Sequence, residues 1–123
     1  MYFILDYSLG LRFGDVMSEE NTWSQSVFLV VEENLTVQKL NIFLMKSFDM
    51  EPGFQAPCRK PHLSLLYGHF PDKSKEEAHR IVRNDFEKDI FQTVFQMGTV
   101  ELWNTGGGLE GVPKWNHVGD IAL

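Results

Sequence analysis

The stretch Pro61-His62-Leu63-Ser64-Leu65-Leu66-Tyr67 decides how the rest of this chain is read. Alternation along an extended strand puts His62, Ser64 and Leu66 on one face and Leu63, Leu65 and Tyr67 on the other. An imidazole serves as general acid or base near neutral pH. A hydroxyl two residues away can donate to a phosphate oxygen. The pair suits phosphoryl chemistry without a metal. A His and a Ser on one strand face are also common as ordinary packing groups, and spacing alone leaves both readings open.

Upstream, Ser26-Val27-Phe28-Leu29-Val30-Val31-Glu32 is apolar and β-branched between polar clusters, which predicts a strand buried on both faces. Asn34 stands where a helix N-cap belongs. Val37, Leu40, Phe43, Leu44 and Phe48 then recur at three- and four-residue spacing, predicting an amphipathic helix of roughly three to four turns. Pro52, Gly53, Pro57 and Pro61 mark a loop. Nearer the start, Tyr2–Leu5 and Leu11–Val16 read as short strands broken by Ser8-Leu9-Gly10. A polar turn follows over Ser18–Thr22.

Downstream, Ser74-x-x-Glu77 has the form of a capping box, opening a helix from Lys75 to about Asp85 with an apolar stripe of Ala78, Ile81, Val82 and Phe86. Val94–Trp103 reads as one long strand with a bulge at Gly98. Gly106-Gly107-Gly108 lacks the Lys-[Ser/Thr] of a phosphate-binding loop and reads as a flexible hairpin connection. Trp115–Leu123 is the last strand. The sum is a single α+β domain over residues 1–123, with a mostly antiparallel mixed sheet and flanking helices.

The composition agrees. The 123 residues are 43% hydrophobic and 13% aromatic, enough for a core without disulfides and unlike a coiled coil or a disordered chain. A net charge of −6 argues against an extended nucleic-acid surface. The dense basic spots are Arg59-Lys60 and Lys73-Ser74-Lys75. The lone Cys58 cannot form an intramolecular disulfide, which fits a reducing, cytoplasmic compartment. No apolar run reaches bilayer length, and the start does not look like a signal peptide.

With its preceding proline, His62-Leu63-Ser64-Leu65-Leu66-Tyr67 resembles the second H-x-[S/T] motif of the 2H phosphoesterase superfamily, in particular the cyclic phosphodiesterases of plants and fungi. The order of elements from Leu11 to Leu123 is similar as well. The resemblance implies a 2H-phosphoesterase-like fold and hydrolysis of nucleoside 2′,3′-cyclic phosphate or ADP-ribose 1″,2″-cyclic phosphate, downstream of tRNA splicing. It implies a partner that is a cyclic-phosphate nucleotide or ADP-ribose derivative, with no metal or other cofactor. One family histidine activates water and the other protonates the leaving oxygen, while the two hydroxyls hold phosphate oxygens. By resemblance His62 is one catalytic histidine, Ser64 its phosphate-binding hydroxyl, and Tyr67 a phenol near the phosphate.

The chain departs from the family in one respect. Its histidines are His62, His69, His79 and His117, and only His62 opens an H-x-[S/T]. The resemblance therefore implies a bilobal fold without its N-terminal part, one half of the acid–base pair, and self-association through exposed edges. A catalytically inactive form or a phosphate- or nucleotide-binding module is the alternative. Elsewhere, His69 reads as an exposed loop residue, His79 as solvated on a charged helix, and His117 as packing or pocket-lining. Trp23, Trp103 and Trp115 are stacking candidates, with core packing the stronger reading for at least two of them.

Overall fold

A continuous apolar, β-branched run places β3 (Val27–Val31) at the centre of a three-stranded antiparallel sheet, between β2 (Phe13–Met17) and β4 (His62–Leu66). The computed structural model describes residues 9–47 and 61–122. The expected strand at Tyr2–Leu5, the loop at Pro52, Gly53 and Pro57, and Phe48, Cys58, Arg59, Lys60 and Leu123 lie outside the described residues.

Register sorts the sheet into two faces. Val16, Leu29 and Leu63 stand opposite one another on one side, and Met17, Phe28 and Ser64 on the other, with Val30 opposite His62. The first face meets α2 (Asp72–Asp85) and the short α3 (Glu87–Phe91). There Val16, Val27, Leu29 and Val82 form a buried cluster, edged by Phe13, Ala78, Ile90 and Phe91. The helices pack mainly on β2 and β3. Leu63 and Leu65 on β4 remain 49% and 38% exposed. The expected two-sided burial of β3 holds for Val27, Phe28 and Leu29, while Val30 and Val31 are half-buried.

Asn34 caps α1 (Leu35–Ser47) as its position predicts. Its Oδ1 accepts from the Thr36 and Val37 amides at 2.9 and 3.3 Å. Its Nδ2 donates to the Gly10 carbonyl at 3.2 Å, tying the helix start to the first strand.

Four local expectations are corrected. Leu9 and Gly10 do not break a strand; they belong to β1 (Leu9–Leu11), which pairs antiparallel with β5 (Phe95–Met97). Gly98 is not a bulge within one long strand. It separates β5 from β6 (Thr99–Asn104), and β6 pairs with β7 (Asn116–Ala122) in a different two-stranded sheet. A glycine with open space around its Cα pins neither neighbour, so the backbone can change sheets there.

The hairpin connection at Gly106-Gly107-Gly108 leads into a short helix, α4 (Gly108–Gly111), and a 3-10 turn (Val112–Lys114). Gly107 and Gly108 adopt φ of 93° and 62°, where glycine carries no steric penalty. The fourth correction is the capping box. Pro71 takes the N-cap position, and the Ser74 and Lys75 amides donate to its carbonyl at 3.0 and 3.2 Å. Ser74 is thus inside the first turn, and Glu77 pairs with Arg80 at 2.6 Å instead. The described chain is α+β with antiparallel strand pairing throughout. Among the described residues no helix is long and apolar enough to cross a membrane.

Candidate functional site

The period of two on β4 brings His62 and Ser64 to one face. Both are half-buried, whereas Leu63 between them and Leu65 beyond Ser64 are exposed. The His62 ring meets Phe28 edge-on, with centroids 5.4 Å apart. The side-chain amide nitrogen of Gln25 stands 3.4 Å from His62 Nδ1 and 3.3 Å from Nε2. Gln25 itself is 4% exposed. The Ser64 hydroxyl donates to the Ser24 carbonyl at 2.8 Å.

Tyr67 lies one residue beyond the end of β4, so strand alternation does not fix its direction. Its ring sits between Trp23 and Trp115, with centroids 5.7 and 5.6 Å away. The Trp115 pair is edge-on and the Trp23 pair tilted, both at a favourable aromatic spacing. Trp115 Nε1 is buried with no hydrogen-bond partner among the described residues.

Sequence reasoning singled out residues 62, 64 and 67 but missed what faces them. The segment before β3 turns back over the motif, so Gln25 meets His62, Ser24 meets Ser64 and Trp23 meets Tyr67. The turn is held from several directions. Thr22 Oγ1 accepts from the Ser24 amide at 3.3 Å and lies 3.0 Å from Ser24 Oγ. The Gly68 amide donates to the Trp23 carbonyl at 2.8 Å, and the buried Ser26 hydroxyl donates to the Gly68 carbonyl. The run Thr22-Trp23-Ser24-Gln25-Ser26, rich in hydroxyl and amide groups, was the available signal.

A groove of about 420 Å³ is lined by residues of β2, β3 and the start of α1 and by Pro61, the residue before His62. Met17, Val30, Val37 and Pro61 supply apolar walls, Glu32 and Glu33 bring carboxylates to it, and Asp15, which also lines it, pairs with Arg83 at 3.0 Å. Those charges oppose an anion there.

The other histidines occupy separate settings. His69 is exposed, as expected, and lines a polar crevice of about 350 Å³ with Glu20, Asp72 and Lys75. His117 is exposed on β7, its ring 5.5 Å from Trp103. Trp103 is itself exposed, while Trp23 and Trp115 are half-buried. His79 is not the solvated residue its charged helix suggests. It is half-buried, with Nε2 2.6 Å from Ser18 Oγ. Burial, with help from the Arg83 charge, holds its pKa below the usual histidine value against the opposing pull of Asp15 and Glu76. Among the described residues no cluster of three or more His, Cys, Asp or Glu side chains is arranged to hold a metal ion.

Compared with known proteins, the chain matches no protein-family model and no curated protein.

Proposed function

We propose that this chain is a 2H-phosphoesterase-like protein that grips a nucleoside 2′,3′-cyclic phosphate, or the related ADP-ribose 1″,2″-cyclic phosphate, through Ser64 and His62. The observation that carries this reading is the shared, half-buried face of His62 and Ser64 on β4, two residues apart and flanked by exposed leucines. A hydroxyl and an imidazole on one rigid strand supply one donor for a phosphate oxygen and one proton-transfer group. The carboxylates of the adjoining groove discourage an anion on that side, so the phosphate belongs toward Ser64 rather than toward Glu32.

In-line hydrolysis of a cyclic phosphate uses both a base for water and an acid for the leaving oxygen. His62 is one such group. The proposed function is therefore phosphate recognition with one half of the acid–base chemistry, and turnover depends on a second group outside this motif.

The test is to titrate purified protein with adenosine 2′,3′-cyclic phosphate while following product release. The expected result is saturable binding that Ser64→Ala abolishes, with turnover at or near the level of a His62→Ala control. Unchanged binding in Ser64→Ala refutes the reading. Turnover that vanishes in His62→Ala supports full hydrolysis and points to a second acid–base residue, including one supplied by another copy of the chain.

A further inference from the structure

We infer that Trp23-Ser24-Gln25 is a strap that occupies this half-site and must be displaced when ligand binds. The inference rests on the function proposed above. Each residue of the strap engages one residue of the motif. The Ser24 carbonyl accepts the Ser64 hydroxyl at 2.8 Å, so a backbone oxygen stands where a phosphate oxygen would accept the same hydrogen. The Gln25 amide nitrogen lies 3.4 and 3.3 Å from the two ring nitrogens of His62, so the strap covers one side of the imidazole. The Trp23 indole packs against the Tyr67 ring. Donor, proton-transfer group and phenol-bearing ring are thus each held by the protein's own chain.

The strap has a fixed root and a weaker tip. At its root Ser26 is fully buried, and its hydroxyl donates to the Gly68 carbonyl. Its tip is shaped by Thr22 Oγ1, through a long 3.3 Å bond to the Ser24 amide and a 3.0 Å contact with Ser24 Oγ. At Ser64 displacement swaps one acceptor for another, and a charged phosphate oxygen is the stronger acceptor; the Gly68–Trp23 hydrogen bond and the Trp23–Tyr67 contact are what the open form gives up. A ligand that engages only the open form has an apparent Kd equal to its intrinsic Kd divided by the fraction of time the strap is open.

The experiment compares wild type, Thr22→Ala and Gln25→Ala for binding of adenosine 2′,3′-cyclic phosphate, each with and without Ser64→Ala. Amide exchange at Gly68 in wild type is followed on the same ligand addition. Thr22→Ala removes only an outer support and tests the strap should Gln25→Ala fail to fold. The expected result is tighter binding by about three- to tenfold in either strap variant, lost on adding Ser64→Ala, with faster exchange at Gly68 when wild type is saturated. Wild-type binding that depends on Ser64, with affinity unchanged or weakened in the strap variants and Gly68 exchange unmoved, overturns the strap and leaves the half-site standing. Absence of Ser64-dependent binding in every variant overturns both.

Discussion

The hydroxyl of Ser64 and the carbonyl of Ser24, 40 residues apart in sequence, are joined by a 2.8 Å hydrogen bond across the face that carries His62. The bond ties the turn before β3 to β4. Removing the hydroxyl leaves a partly buried carbonyl without its donor. Ser64→Ala should therefore lower stability by about 1 kcal/mol. A urea midpoint that falls with an unchanged slope checks this. The same substitution abolishes phosphate binding under the proposed function, so the two effects are read on one protein.

His79 makes stability depend on pH. Its folded-state pKa is held below the ordinary histidine value, first by burial and then by Arg83, with Asp15 and Glu76 pulling the other way. The folded state thus binds fewer protons than the unfolded chain as pH drops through the histidine range. Neutral His79 gives its full contribution above about pH 6.5, and that contribution is lost as pH falls through the folded pKa. Thermal midpoints should decline from pH 7 toward pH 5. In His79→Gln, whose amide is not titratable, the decline over that interval should be shallower. An identical slope in the variant would assign the pH dependence to other groups.

The strand reading succeeded where one short-range period carried the information. His62 and Ser64 share a face because side chains alternate, and Asn34 caps α1 because its Oδ1 reaches amides two and three residues ahead. Failures came where a distant partner or a competing local group decided the outcome. His79 looked solvated because its neighbours Arg80 and Arg83 are charged, yet Ser18, 61 residues away, supplies its hydrogen bond. The capping box at Ser74 lost to Pro71, whose preset backbone angle starts the helix earlier. Gly98 marked an interruption correctly, but sequence does not say that the strands on its two sides join different sheets. Likewise, the hydroxyl- and amide-rich run Thr22–Ser26 signals a turn, but not that its partners are residues 62–67.

Leu29 and Leu63 face each other across β3 and β4 but differ in cover. Leu29 is 2% exposed beneath Val82, and Leu63 is 49% exposed beyond the helix. Leu29→Ala should cost about 2–5 kcal/mol, enough to unfold a marginal domain. Leu63→Ala should cost less than about 1.5 kcal/mol, because much of that side chain is already in water. Equal losses in a denaturant series would mean that Leu63 is covered in solution, and sedimentation would then show whether a second copy covers it.

The cap on α1 has its own measurable share. Asn34→Ala removes both the Oδ1 acceptor for the Thr36 and Val37 amides and the Nδ2 donor to Gly10. A loss of about 1 kcal/mol is expected from the cap, while Asn34→Asp keeps the cap acceptor and should lose less. A matched loss in both variants would place the stabilisation in the Gly10 contact instead of the cap.

Tyr67 separates packing from ligand contact. Its ring touches two indoles, and both contacts survive in Tyr67→Phe. That variant should keep the wild-type unfolding midpoint. Tyr67→Leu loses both aromatic pairs and should be less stable by about 1–3 kcal/mol. Its tryptophan fluorescence should also change, since Trp23 and Trp115 lose the ring between them. A phenol that contacts phosphate adds a second signature. In Tyr67→Phe, affinity for adenosine 2′,3′-cyclic phosphate should fall several-fold at constant stability, a loss that packing cannot explain. Unchanged affinity in Tyr67→Phe would confine Tyr67 to the aromatic cluster and leave Ser64 and His62 as the ligand-facing pair.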